Sequence, residues 1–198
     1  MCQSTQIWLT PVVVAGIFSL AGVWLGSYLN QNNSYKLANK QRILELRNRS
    51  YAKLMGLKLP LVQAVQTNSE AKILCEYYDT RFHINADKAD LDEAKKQNER
   101  ALSLIKEISN LRREVSETLG DIKISFPPST ELDQAIEAVY RSSALAVPEM
   151  RQKIKSIEAL EEWREKNFAT LEQIVRAEYY QKIDALLTIL FNQTKAHT

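Results

Sequence analysis

The sequence predicts an all-α protein: one N-terminal transmembrane helix followed by an elongated, coiled-coil-like antiparallel bundle of about four helices. Three observations carry this. No Asp, Glu, Lys or Arg occurs before Lys36, and residues 7–29 form a predominantly apolar run, long enough for a hydrocarbon core of about 30 Å. Gly16, Gly22 and Gly26 lie in that run, which leaves only Gly56 and Gly120 for the rest of the chain. Apolar residues elsewhere recur every three or four positions, and the alternation of a strand occurs only in "IKISF" at 122–126.

Thr10 followed by Pro11 reads as an N-cap with proline at the first helical position. Trp8 and Tyr28 then fall 20 positions apart, about 30 Å along a helix, which puts one amphipathic ring near each membrane interface. A cleaved signal peptide needs a basic start, a shorter apolar core and a small-residue cleavage site. The segment before Lys36 offers no basic residue, its apolar core is too long, and "GSYLNQ" makes a poor cleavage site. Residues 1–33 are therefore expected to be an anchor with a polar junction, and residues 34–198 a helical-bundle domain.

Orientation follows from charge. Lys36, Lys40, Arg42, Arg47, Arg49, Lys53 and Lys58 stand against the single acid Glu45, while the N-terminal side carries no basic side chain. The positive-inside rule places the bundle in the cytoplasm and the N-terminus outside, at a cell (inner) membrane. Lys36, Lys40, Arg42, Arg47, Arg49 and Lys53 serve either as anionic-lipid contacts, each at about 1 kcal/mol near the surface, or as a topology signal only. The chain as a whole is +2 and the remainder is acidic, so nucleic acid is not an expected partner. Cys2 and Cys75 fall on opposite sides of the predicted span, which excludes a disulfide framework and suits a reducing compartment.

Beyond the polar "NQNNS" at 30–34, which interrupts or loosens the helix, a first bundle helix is expected over 34–82. Ile43, Ser50, Leu54, Leu57, Leu61 and Val65 lie on one face of it, and Pro60 is its kink. A second helix opens at the acid-rich "DKADLDEA" and carries Ala101, Leu104, Ile108, Leu111, Val115 and Leu119, with Gly120 as its C-terminal cap. Pro127 and Pro128 force extended backbone. Ser129 or Thr130 then caps a short third helix, "ELDQAIEAVYRSSAL". Pro148 introduces the last, with an apolar stripe from Met150 through Leu160, Leu171, Val175, Ile183 and Leu186 to Leu190.

The chemistry-bearing residues are sparse. His83 and His197 are the only histidines, and neither stands three residues after a glutamate, so the Glu-x-x-His metal signature of bundles is absent. Glu76, Asp79 and His83 could share a helix face but read as a solvated polar surface. Glu161, Glu162 and Glu165, among Lys155, Arg164 and Lys166, read as exposed helix charge. No nucleophile elbow, phosphate loop or dinucleotide fingerprint occurs. No catalytic residue, metal site or cofactor is expected, and the chain reads as a non-enzyme. Two softer features remain. Ala15, Ser19, Gly22 and Gly26 share one face of the span, and "GVWLG" is the small-xxx-small pattern of helix pairing in lipid. Tyr77 and Tyr78, with Tyr179 and Tyr180, form two pairs in which one ring enters the core and its neighbour lies at the edge, or which together line a groove.

The glycine-containing span, the basic "RNRSYAKL" and the break "DIKISFPPSTELDQAI" together resemble a broad group of uncharacterised bacterial single-pass membrane-anchored helical-bundle proteins. The resemblance covers most of the chain. It implies a bacterial or phage membrane protein and carries no activity. The function expected is a scaffold or adaptor at the inner membrane, with membrane lipid and a protein as partners and a homodimer through the span. Two alternatives stand beside it: an extracytoplasmic sensor or ligand-binding bundle, and a phage or defence protein acting on the membrane, suggested by the apolar "IDALLTILF" at 183–191.

Overall fold

The computed structural model describes the backbone of residues 11–142 and 154–195, and the side chains of residues 22–142 and 154–195. These residues are helical almost throughout: α1 (Pro11–Asn85), α2 (Lys88–Ser125), α3 (Thr130–Tyr140), α4 (Ile157–Val175) and α5 (Lys182–Lys195), with the π-helical turn Arg176–Gln181 joining the last two. The chain divides into two compact units, Met1–Glu45 and Leu46–Thr198.

In the first unit the described side chains are exposed except for the half-buried Ile43 and Leu44. Among the described residues no helix is long and apolar enough to cross a membrane. Most of the predicted span, including Ala15 and Ser19, lies outside the residues whose side chains are described, so the structure supports the helical bundle and not the transmembrane helix. The expected break at "NQNNS" is absent, because α1 continues through residues 30–34. Asn, Gln and Ser each cost a helix only a few tenths of a kcal/mol, and neither glycine nor proline stands there to stop it.

The second unit is a four-helix, up-down-up-down arrangement. Near the α1–α2 turn Arg81 Nε lies 3.3 Å from Asp90 Oδ2. Further along, Asn68 Nδ2 donates to the Ala101 carbonyl at 2.6 Å, and at the far end Arg47 Nε donates to the Ser125 carbonyl at 2.7 Å. These three contacts fix α1 and α2 as antiparallel. α4 and α5 also run against α1, since Tyr77 meets Glu161 and Lys58 meets Asp184. α3 returns along α2 and α5: the Tyr140 hydroxyl donates to the Ser116 carbonyl at 3.2 Å, and Gln193 Nε2 donates to Ser129 Oγ at 3.3 Å.

The predicted stripes form the core. Leu54, Leu61, Val65, Val115, Leu119, Leu171, Val175, Ile183, Leu186 and Leu190 are all buried in one cluster, each such side chain contributing about 1.5–3 kcal/mol of apolar transfer. Ser129 caps α3 as expected, its Oγ accepting from the Leu132 N–H at 3.1 Å. Asp87 caps α2 and Ser156 caps α4 in the same way.

Several boundaries differ from the sequence reading. Gly120 is not a cap, and "IKISF" is not a strand: α2 runs to Ser125 and stops at Phe126, ahead of the prolines. Leu119, Ile122 and Phe126 are all buried at three- and four-residue spacing, so burial of that face carries the helix past the glycine, which costs only about 1 kcal/mol in a helix interior. α3 ends at Tyr140, and the described part of the last helix begins at Ile157. Pro148 and Met150 lie outside the described residues.

The two residues between α1 and α2 make a tight reversal. Ala86 closes α1 at φ 55, its N–H bonded to the Phe82 carbonyl at 2.7 Å, which is the left-handed C-terminal cap that favours glycine. An Ala86→Gly variant is expected to gain about 1 kcal/mol of stability from release of the left-handed alanine, measured by urea unfolding.

Candidate functional site

All four helices of the second unit meet around a cavity of about 50 Å³. It is lined by Leu61 of α1, Val115 and Leu119 of α2, Val139 of α3, and Tyr179 and Ile183. Its walls are polar where α2 meets the end of α3: Arg112 donates to the Ser142 carbonyl, and Ser142 Oγ donates to the Glu178 carbonyl at 2.6 Å. Burial pushes the Tyr179 phenol up, against the lowering influence of Arg112.

A second polar cluster lies toward the α1–α2 turn. Tyr77, 1 % exposed, donates to the Glu161 carboxylate. Glu161 also pairs with Arg164 at 2.7 Å, and the Arg164 guanidinium lies over the Tyr77 ring at 4.9 Å. Burial and then the Glu161 carboxylate raise the Tyr77 phenol, with Arg81 working against them. Further along α1 and the last helix Lys58 pairs with Asp184 and sits 3.4 Å over the Tyr180 ring. Burial alone would lower the Lys58 ammonium, but the bonds to Asp184 and Tyr180 hold it above its ordinary value. Lys58 with Asp184 and Tyr77 with Glu161 are clamps between helices, and Arg164 neutralises Glu161 from one turn away within α4.

The sequence-selected residues distribute as follows. Tyr77 and Tyr179 enter the core while Tyr78 is half-buried and Tyr180 is 39 % exposed, so each pair does place one ring inside. The two pairs do not line a common groove. Tyr77 pairs with Glu161, whereas Tyr180 faces Lys58, 19 residues before Tyr77 on α1, or about 28 Å of helix. Gly22 and Gly26 are exposed, with nothing within 4 Å of a Cβ built on either. Lys36, Lys40, Arg42 and Arg49 are exposed and Lys53 half-buried. Arg47 departs from that set: it caps the last turn of α2 through Ser125 and lies 5.5 Å over the Phe126 ring.

Among the described residues no group of three or more His, Cys, Asp or Glu side chains could hold a metal ion. His83 Nδ1 contacts the Asp79 carbonyl at 2.7 Å. The Cys75 thiol is pushed up by burial and then by Glu76 and Asp79, which keeps it protonated and a poor nucleophile. Glu161 is held in the Tyr77 clamp, and Glu162 and Glu165 are exposed. Within "IDALLTILF", Ile183, Leu186, Leu187 and Leu190 are buried in the bundle, so the apolar character that suggested membrane action is core packing.

The described residues of the second unit also line open grooves, two of which have these walls. One, of about 790 Å³, runs between α2 and α3 with Lys123, Asp133, Glu137 and Arg141 on its walls. The other, of about 370 Å³, runs between α1 and α5 and is lined by Tyr51, Met55, Leu187 and Phe191 beside the Lys58 and Asp184 pair. Met55 and its neighbour by one turn, Leu59, are 55 % and 56 % exposed. Sequence reasoning passed over this second groove because it followed only the Leu54 and Leu61 face. The signal was present as Tyr51, Met55 and Leu59 at successive four-residue steps on another face.

No protein-family model, curated protein or solved structure matches the chain. The likeness to bacterial single-pass proteins therefore rests on the sequence pattern alone.

The Tyr77 phenol and the Lys58 ammonium both bind their protons more tightly in the fold than in the unfolded chain. The stability they contribute is complete below about pH 10, the ordinary range of both groups, and is lost as pH rises through their folded-state values. Tyr77→Phe is expected to cost about 1.5–3 kcal/mol at pH 7, through loss of a bond to a charged group, and to weaken the fall in stability as pH rises above about 10. Urea unfolding across that range checks both. Arg47→Ala should cost about 1 kcal/mol and Arg49→Ala less than about 0.5, in the same assay.

Proposed function

We propose that the chain is a membrane-anchored helical scaffold or adaptor. Residues 7–29 cross the inner membrane, the bundle lies in the cytoplasm, and the protein acts by self-association and protein contact. The observation that carries this reading is the charge step along the sequence: no charged side chain before Lys36, then seven basic residues against one acid between Lys36 and Lys58. Two features of the bundle support it. Lys58 with Asp184 and Arg81 with Asp90 pair across helices, and a groove lined by the exposed Met55, with exposed Leu59 one turn further along α1, stays open on its surface. In this reading the chain catalyses no reaction and holds no cofactor.

The lipid role narrows to the part of α1 nearest the span. Lys36 stands seven residues beyond Leu29 and Lys40 eleven, about 10 and 16 Å along a helix. A surface potential decays over about 8 Å at physiological salt, so Lys36 feels an anionic surface most and Lys40 less. Gly22 and Gly26 supply the close approach through which two spans pair.

The test is protease treatment of intact spheroplasts and of lysate, following an epitope placed after Thr198. Protection until lysis is the expected outcome. Digestion in intact spheroplasts would overturn the cytoplasmic orientation and favour an extracytoplasmic ligand-binding bundle, for which the α2–α3 groove is the first surface to probe.

A further inference from the structure

We propose that the α1–α5 groove of the bundle is a homodimer interface, occupied by the same groove of a second copy, with Met55 and Leu59 of each chain packed across a two-fold axis. The proposal rests on the membrane-anchored reading above and extends it from the span to the bundle.

The argument begins from what anchored copies can do. Chains held in one membrane in one orientation meet with α1 parallel to α1, so near the axis each residue faces its own counterpart. Like charges placed opposite each other are destabilising, and a parallel contact needs a face of α1 without them. At about 100° per residue, Arg42, Arg49 and Lys53, at i, i+7 and i+11, fall on one stripe, roughly 150° round the helix from Leu37, Leu44, Tyr51 and Met55. The second row contains no charge and recurs every seven residues from Leu37 to Tyr51, the period of a parallel two-helix seam.

In the second unit this row is the open wall of the groove. Tyr51 and Met55 line it from α1, and Leu187 and Phe191 line it from α5. Among the described residues that line it the ionised side chains are Lys58 and Asp184, which neutralise each other within the chain, so two copies can approach without an uncompensated charge from these at the centre. Lys195 lies over the Phe191 ring at 4.5 Å. Met55 suits a self-complementary contact, since its unbranched thioether adapts to an irregular pocket.

The test uses the full chain in bacterial membranes, with Cys2→Ser and Cys75→Ser as background and single cysteines introduced by Met55→Cys, Arg49→Cys or Asn33→Cys. The expected result on mild oxidation is a disulfide dimer from Met55→Cys and none from Arg49→Cys. Adding Leu59→Asp should reduce the Met55→Cys dimer several-fold, while the far-UV circular dichroism of the purified protein is unchanged. Equal cross-linking from Met55→Cys and Arg49→Cys would overturn the interface. So would a dimer from Asn33→Cys alone, which would leave pairing of the anchors standing without the groove. Failure of all three positions would remove self-association itself, and a mixed adduct of Met55→Cys with a different protein would assign the groove to another partner.

Discussion

The bundle depends on one layer in which Leu61, Leu119, Val139, Tyr179 and Ile183 converge from all four helices. The apolar spacing of the last helix has to be bent to reach it. Leu171, Val175, Tyr179 and Ile183 are each four residues apart and all buried. In a regular α-helix a step of four overshoots a full turn by about 40°, so three steps would carry Ile183 about 120° away from the face that Leu171 buries. The π turn Arg176–Gln181 falls inside this run. Its wider i→i+5 winding takes up the excess and returns the face to the core. The same turn leaves Tyr180 outside, where Lys58 covers it. Pro60, whose missing N–H leaves the Gly56 carbonyl without its helical donor, stands two residues from Lys58. α1 nevertheless stays helical through Pro60, and the Lys58 pairing with Asp184 and Tyr180 joins it to the last helix at the π turn.

Polar groups inside the bundle do a different task from the apolar layer. Asn68 bonds the Ala101 carbonyl, Arg81 meets Asp90, and Tyr77 meets Glu161. A slide of α1 along either neighbour by one turn would preserve much of the apolar contact, because each stripe repeats. It would also leave several buried polar groups without partners, each at about 1–3 kcal/mol. The polar contacts therefore select one register among several that apolar burial alone would allow, as a buried polar residue does in a coiled coil.

What could be read from the sequence divides along the same line. The stripes were legible because burial repeats with the helical period, and so were a cap at Ser129 or Thr130 and the division of each tyrosine pair into one inner and one outer ring, which depend on near neighbours only. The extension of α2 beyond Gly120 was missed because a glycine was taken as a stop while Leu119, Ile122 and Phe126 kept the spacing of a helix. The clamps were not legible: Lys58 and Asp184 lie 126 residues apart, and no local pattern links them. Arg47 was grouped with five other basic residues by charge, yet its angular position on α1, beside Ser50 and Leu54, is what turns it toward the end of α2. Charge is a property of composition, and angular position on a helix separates a surface cation from a structural one.

The course of the chain through the second unit has a mechanical consequence. α1 enters at the end where Arg47 meets Ser125, and α5 finishes at that same end, where Gln193 meets Ser129. A load applied between the entry of α1 and the C-terminus would therefore pull on two helices from one end. It would open their contacts one turn after another, as a zipper opens, and would not shear the whole seam at once. Such a geometry yields at low force, and it would begin to yield at the level of Tyr51 and Phe191, before the tension reached the Tyr77 cluster.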